Sequence, residues 1–261
     1  MKLKKLIFNI LTVVVCFVLW KGAGILLNNY LHSKGISNIK EDFLKELIGV
    51  VITIIGLLIL KKKSVLGFKL EGFKKGFKTG AVILTLSGLL LITSIFNHDP
   101  ITASGLDIVL FGIDTILIGI YEEVLFRGIF QNAFHEFFGE DNKKNVIKAI
   151  VASSTIFGLF HFFNLLSGGD LLSVTIQALS AIAGGIIFGT VYWNSGKNIW
   201  TCVIIHGFED GCGFLNSGIL SGKTVLDAIN EYSIKNILSI VIYSAIACYL
   251  LVKISDNKNV Q

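Results

Sequence analysis

Long apolar runs separated by short, basic links constrain this chain more than any other feature of its sequence. A helix that spans a membrane needs about 20 mostly apolar residues, because lipid offers no partner for unpaired backbone groups. Eight such runs follow one another along the chain, near 5–27, 43–60, 79–96, 107–134, 146–163, 171–193, 198–215 and 236–253. The sequence therefore predicts an all-α fold, a polytopic transmembrane helix bundle of about eight spans.

The composition favours a single membrane domain. The 261 residues are 53% hydrophobic and 16% charged, whereas soluble domains contain about one quarter charged residues. Little polar sequence remains between the runs, so a separate soluble domain is not expected. We predict one membrane domain over residues 1–261, with a core at residues 107–215 that carries the candidate catalytic motifs.

The lysines indicate how the spans are oriented. Alternate links and both termini hold most of them: Lys2, Lys4, Lys5, Lys61, Lys62, Lys63, Lys69, Lys74, Lys75, Lys78, Lys143, Lys144, Lys148, Lys197, Lys253 and Lys258. The remaining links hold Lys34, Lys40, Lys45, Lys223 and Lys235. Basic links stay in the cytoplasm, so both termini are expected there. The net charge of +5 is thereby explained by topology, and no nucleic-acid partner is expected.

Ionisable residues within the spans are the candidate functional groups, because charges inside a membrane are costly. They lie on three spans: Glu122, Glu123 and Arg127 on the fourth, His161 on the fifth, and His206, Glu209 and Asp210 on the seventh. Three further histidines, His32, His98 and His135, fall in links or at a span end and are expected to be solvated.

Helical spacing sorts these residues into pairs. Glu123 and Arg127 are four residues apart and can pair on one helix face. Glu122 points about 100° away from Glu123, which leaves it without a local partner. His206 and Asp210 are also four apart and share a face. A Glu–Arg pair at this spacing is usually structural, and we interpret this pair in that way.

The unpartnered groups are one carboxylate and two imidazoles, with a second carboxylate beside one imidazole. Such donors suit a divalent transition metal, and zinc above others. A catalytic zinc site keeps one position for water and lowers the pKa of that water to about 7. A lone membrane histidine more often bonds a neighbouring helix, but convergence from three spans favours a site. The predicted metal ligands are Glu122, His161, His206 and Asp210.

Three motifs in order resemble those of a known family. E-E-x-x-x-R, F-x-x-x-H and H-x-x-x-D, between Tyr121 and Phe214, are similar to the motifs of the CPBP family. That family includes the type II CAAX prenyl endopeptidases and bacteriocin-processing or immunity proteins. The resemblance implies that Glu122 polarises the attacking water or binds a metal. It also implies that Glu123 and Arg127 hold the geometry of the first motif.

The other two motifs carry the remaining implied roles. The resemblance places His161 at the water or metal, and His206 matches the histidine of the third motif. Asp210 occupies a position where many members carry asparagine. An ionised aspartate donates no hydrogen bond, which argues against an oxyanion-stabilising role there. Both a metal-bound water and a glutamate-activated water remain compatible with these residues.

These observations predict a membrane metalloendopeptidase. Its expected substrate is a peptide or protein, lipidated or not, such as a prenylated CAAX-type protein or a peptide precursor. Membrane lipid is the other expected partner. The predicted catalytic residues are Glu122, Glu123, Arg127, His161, His206 and Asp210. A non-catalytic immunity or scaffold protein of the same fold is the first alternative. An ion-coupled transporter ranks last, because the sequence shows no inverted repeat.

Overall fold

The computed structural model describes residues 1–97 and 100–254, and within them it contains helices, turns and loops but no strand. The helices are α1 (Lys2–His32), α2 (Asn38–Ile59), α3 (Leu70–Asn97), α4 (Gly105–Glu123), α5 (Asn132–Phe138), α6 (Lys143–Phe160), α7 (Leu171–Asn194), α8 (Ile199–Ser217), α9 (Val225–Asn230) and α10 (Ile237–Lys253). A π-helix (Val124–Gln131) joins α4 to α5, and a 3-10 segment (His161–Ser167) follows α6. The predicted all-α fold is confirmed.

Each predicted span coincides with one long helix, the fourth being α4, the π-helix and α5 in succession. Within the described part of the chain, five helices are long and apolar enough to cross a membrane by length and composition: α1, α3, α6 with its 3-10 extension, α7 and α10 with its preceding turn. The other three, α2, α4 and α8, carry buried ionisable groups such as Glu46, Glu123 and His206. The protein is a multi-pass integral membrane protein.

The inner helices of the bundle are those that carry the motifs. Helix α8 packs against both α3 and α4, α7 packs against α6 and α10, and α2 lies between α1 and α4. Large apolar side chains point outward on the peripheral helices, among them Leu26, Leu89 and Val252. Such surfaces suit contact with lipid tails, so the bundle presents apolar residues outside and keeps its ionisable groups inside.

Lysine-rich links gather at one end of the bundle, which we call the basic end. There Glu136, which follows the fourth span, pairs with Lys5 at 2.8 Å and with Lys62 at 3.3 Å. The Asn198 amide, between α7 and α8, donates to the carbonyl of Lys69 at 2.8 Å. The N-terminus and the links after α2, α5 and α7 therefore lie together, as alternating spans require.

The remaining links meet at the opposite end. Ser37, between α1 and α2, donates to Asp107 at the start of α4 with an Oγ–Oδ1 distance of 3.0 Å. The amide of Thr102, before α4, donates to the carbonyl of Leu220, after α8, at 2.9 Å. The lysine asymmetry of the sequence therefore corresponds to two separate ends of one bundle.

Two glycines bring α4 and α8 close together. A Cβ atom on Gly119 of α4 would lie 2.7 Å from the carbonyl oxygen of Val203. A Cβ atom on Gly207 of α8 would lie 2.8 Å from the carbonyl oxygen of Thr115. Small residues at a crossing let two membrane helices approach backbone to backbone. This close crossing sets the distance between the first and third motifs.

Candidate active site

Glu123 lies at the centre of the polar cluster. Its Oε1 atom accepts a hydrogen bond from Arg127 Nη1 at 2.7 Å and lies 2.7 Å from Nδ1 of His206. The Glu123 side chain is fully buried, and Arg127 is 1% exposed. The predicted Glu123–Arg127 pair is therefore present, and it extends to a second helix through His206.

Arg127 is held on all sides by the protein. Its second terminal nitrogen donates to the carbonyl of Gly185 on α7 at 3.3 Å. The guanidinium lies 4.7 Å from the ring centre of Phe157 and 5.3 Å from that of Phe188. Cation–π contacts of this kind stabilise a guanidinium that water does not reach. The Glu123–Arg127 pair is thus a fixed element that joins α4, α6 and α7.

His206 has a defined orientation. Its ring stacks on Phe188 with a centroid distance of 4.8 Å, and Nδ1 faces the Glu123 carboxylate. Because a carboxylate only accepts, Nδ1 carries a proton and donates it. Helical spacing within one span did not predict this partner. The signal was absent from the sequence, because the partner lies on another span.

The other nitrogen of His206 faces two carboxylates. Nε2 lies 3.6 Å from Glu122 Oε2 and 3.6 Å from Asp210 Oδ2. These distances exceed a direct hydrogen bond. A neutral imidazole would present a lone pair to two carboxylate oxygens, which also only accept. A proton, a water molecule or a cation between these atoms resolves that conflict.

His161 approaches the same region from the end of α6. Its Nδ1 donates to the carbonyl of Phe157 at 3.1 Å, which leaves Nε2 without a bond to its own helix. The Phe157 ring packs edge-on against both imidazoles, with centroid distances of 5.0 Å to His161 and 6.2 Å to His206. The structure thus gathers Glu122, Glu123, Arg127, His206 and Asp210 into one cluster, and His161 contacts the same aromatic ring as His206.

The donor types fit a divalent metal ion. Both imidazoles anchor Nδ1 on an oxygen and leave Nε2 available, as metal-bound histidines commonly do. However, the predicted ligands do not form a complete metal site in this structure. Among residues 1–97 and 100–254, no three His, Cys, Asp or Glu side chains lie close enough together to hold a metal ion. The ligand set of Glu122, His161, His206 and Asp210 stays a prediction.

Exposure separates the two neighbouring glutamates. The Glu122 side chain is 21% exposed and that of Asp210 is 24% exposed, whereas Glu123 is fully buried. Glu122 and Asp210 therefore border the open side of the cluster, where a substrate can enter. Glu123 is enclosed by protein and holds its neighbours in place.

Residues outside the three motifs also contribute to this region. Tyr243 on α10 donates to Glu209 with an oxygen–oxygen distance of 2.6 Å, one turn from His206. Lys21 on α1 lies within electrostatic reach of Glu122 and His161. The sequence did contain a signal for Lys21, since this lysine interrupts the first apolar run. The tyrosine contact had no sequence signal, because α10 carries no motif.

One of the histidines expected to be solvated is not. His135 is 1% exposed, and its ring lies 4.9 Å from that of Trp193. It faces the bundle interior, where it packs against α7. His98 lies outside the described residues, as does the side chain of His32.

Fold and site together define a class: a multi-pass α-helical membrane protein whose inner spans share a buried cluster of carboxylates, imidazoles and one guanidinium. Residues 104–212 match the family model for Rce1-like type II CAAX prenyl endopeptidases. The predicted resemblance to the CPBP family is thereby confirmed, and the match supports a CAAX-type intramembrane protease. No curated protein matches the chain.

Proposed function

We propose that this protein is an intramembrane endopeptidase that hydrolyses a peptide bond in a lipidated CAAX-type protein or in a peptide precursor. One observation carries the proposal. Glu123 holds both Arg127 and His206 with bonds of 2.7 Å, and this directs His206 Nε2 toward the accessible carboxylates of Glu122 and Asp210. A structural role alone would not need two partly exposed carboxylates beside a fixed imidazole.

Glu122 acts as the general base in the proposed reaction. It takes a proton from a water molecule held between its carboxylate and His206 Nε2, and the water oxygen attacks the scissile carbonyl carbon. The new carbon–oxygen bond gives a tetrahedral species. Glu122 then returns the proton to the leaving nitrogen as the carbon–nitrogen bond breaks. The products are a carboxylic acid and an amine, which exchange a proton to reach their ionised forms, and the enzyme returns to its starting state.

Glu123, Arg127 and His161 support this step without exchanging protons with the substrate. The buried Glu123–Arg127 pair keeps the His206 ring at a fixed angle, which is the preorganisation that catalysis requires. His161, which packs against Phe157, borders the water position in this proposal. Positioning of this kind matters because a small displacement of a catalytic group lowers the rate strongly.

A divalent metal ion, zinc by donor type, would be held by Glu122, His161, His206 and Asp210 in this proposal. When bound, it would supply a water molecule of lowered pKa at that position. The proposal of a metal rests on the available Nε2 atoms and on the two carboxylates that face His206.

We also propose that the basic end of the bundle, with both termini, faces the cytoplasm. The lysines that gather there support this orientation. The site lies between the two ends, so a substrate reaches it from within the membrane or through the bundle.

The decisive experiment is direct cleavage by the purified protein in lipid vesicles. Wild type and Glu122→Gln are incubated with matched peptides, one farnesylated on cysteine and one unmodified, and products are identified by mass spectrometry. We expect wild type to release a defined fragment and Glu122→Gln to lower kcat by a factor of about 100 or more. A folded wild type that cleaves neither these peptides nor a peptide library would instead favour the non-catalytic scaffold function.

A further inference from the structure

The first span contains a lysine that the catalytic proposal does not use. Lys21 lies on α1, eleven residues before the helix ends at His32, and is only partly buried. Its Nζ donates to Asn164 Oδ1 at 3.2 Å. Among the residues that the structure describes, no carboxylate lies within ion-pair distance of this ammonium. A lysine in a membrane span that makes no direct ion pair is costly and indicates a function.

The surroundings fix the position of this ammonium. It lies 4.7 Å from the ring centre of Trp20 and 5.9 Å from that of Phe17. The amide of Asn164 donates to Gln177 Oε1 at 3.0 Å, so its oxygen is turned toward Lys21. Two aromatic rings and one oriented amide stabilise the cation but do not neutralise it.

Lys21 has N–H donors that its bond to Asn164 does not use. An ammonium group carries three N–H donors, and Asn164 accepts from one of them. By contrast, the neighbouring Lys45 pairs with Asp42 at 2.9 Å and with Glu46 at 3.3 Å. Of these two lysines beside Trp20, only Lys21 keeps free donors and an unpaired charge.

This lysine borders the candidate active site. Asn164 lies three residues after His161 on the same 3-10 segment. Trp20 packs against Tyr121, the neighbour of Glu122, with ring centres 4.5 Å apart. An anion bound by Lys21 would therefore lie close to the peptide bond that the water activated by Glu122 attacks.

We propose that Lys21, with Asn164 and Trp20, forms a binding subsite for a carboxylate of the peptide substrate. The assignment rests on the peptidase function proposed above. A peptide offers this chemistry in two forms, the terminal carboxylate of the chain or an acidic side chain near the cleaved bond. Lys21 is a specificity-determining residue in this scheme, since it binds the substrate and takes no part in proton transfer.

Three peptides of otherwise identical neutral sequence test the subsite. One ends in a free carboxylate, one ends in a carboxamide, and one ends in a carboxamide but carries aspartate next to the terminus. Their kcat/KM values are measured with wild type, Lys21→Met, Lys21→Arg and Lys34→Met, the last being a matched control at an exposed lysine beyond the end of α1. Thermal unfolding of each variant shows whether it is folded.

We expect wild type to prefer a carboxylate-bearing peptide over the neutral carboxamide by about tenfold or more. Lys21→Met should remove that preference by lowering the rate for the acidic peptide alone, while Lys21→Arg and Lys34→Met retain it. The peptide that shows the preference identifies the terminal or the side-chain carboxylate as the ligand. A preference that persists in Lys21→Met, or an equal loss for all three peptides, would overturn the subsite.

Binding separates this proposal from the peptidase function. Fluorescence anisotropy of the labelled peptides is measured with Glu122→Gln, alone and combined with Lys21→Met, in which no turnover is expected. Tighter binding of a carboxylate peptide that depends on Lys21 supports the subsite even where wild type shows no cleavage. Equal binding of all three peptides to Glu122→Gln contradicts the subsite whether or not wild type cleaves them.

Discussion

Glu123 and His206 are 83 residues apart in the chain, and their side chains meet with an oxygen–nitrogen distance of 2.7 Å. The same carboxylate oxygen also accepts from Arg127. One buried atom therefore connects the first and third motifs and fixes the tautomer of the imidazole. The adjacent Glu122 takes no part in this bond, and the proposed function assigns it the reacting role while Glu123 holds its neighbours.

The first prediction separates these two glutamates by stability. Glu123→Gln removes the charge that balances Arg127 in a fully buried setting, and breaking such a pair costs about 3–5 kcal/mol. Glu122→Gln changes a partly exposed side chain and should leave folding unchanged. We expect a lower yield and a lower unfolding midpoint in detergent for Glu123→Gln only.

Glu71→Gln is the control for this comparison. Its side chain is 85% exposed and pairs with Lys75 on the surface, where ion pairs contribute little. It should match wild type in yield and midpoint. If Glu123→Gln were as stable as this control, the holding role of Glu123 would be wrong.

The second prediction concerns the metal. If His161 and His206 are ligands, 1,10-phenanthroline should inhibit cleavage, and added zinc should restore it. His161→Ala and His206→Ala should each lose both bound metal and activity. The double variant should be no worse than either single one, because one lost ligand already opens the site. Metal content by mass spectrometry and turnover are measured on the same samples.

Asp210→Asn discriminates further between a metal-bound water and a water activated by Glu122 without a metal. As a ligand, Asp210 should bind metal more strongly than its amide, so the variant should hold less zinc. As a positioning group, it should tolerate the change to asparagine and keep its activity. Full activity in a metal-free preparation would eliminate the metal and leave Glu122 as the activating group.

The third prediction tests the close crossing of α4 and α8. In Gly119→Ala and Gly207→Ala, the new methyl group meets a backbone carbonyl at less than 3 Å, so the helices must separate. Separation moves Glu122 away from His206, and overpacking of this kind costs about 1–3 kcal/mol. We expect both variants to lose thermal stability and most of their activity.

The matched controls lie on the same two helices. A Cβ atom on Gly112 of α4 or on Gly213 of α8 would have no neighbour within 4 Å. Gly112→Ala and Gly213→Ala should therefore unfold at or slightly above the wild-type midpoint and retain activity. Equal damage in the controls and the crossing variants would show that helix flexibility, and not the crossing, is responsible.

The fourth prediction concerns orientation. Single cysteines replace Lys63, at the basic end, and Lys34, at the opposite end, in a variant without native cysteines; both positions are exposed. An impermeant thiol reagent added to intact cells should label the Lys34→Cys variant. It should label the Lys63→Cys variant only after the membrane is permeabilised. The reverse pattern would invert the topology.

The spans were predictable because apolar runs and membrane helices obey the same length requirement. The Glu123–Arg127 pair was predictable because it is local, four residues apart on one helix. The Glu123–His206 hydrogen bond was not predictable, since no pattern within one span encodes a contact between two different spans. Burial of His135 was missed for a related reason: its exposure was inferred from its place at the end of a run, and the neighbouring helices decide it.

The π-helix between α4 and α5 also had no signal in the apolar pattern, and it gives the fourth span an unusual property. Eight successive residues, Val124–Gln131, wind more loosely than the helices on either side. A π-helix closes its turns with i→i+5 bonds, so deleting a residue there would let an ordinary α-helix run through. Phe126, Phe130, Phe134 and Phe138 stack one on the next, four residues apart, from this segment into α5. The segment therefore depends on its residue count as well as on side chains such as Arg127, since one residue fewer would remove the looser turn between α4 and α5.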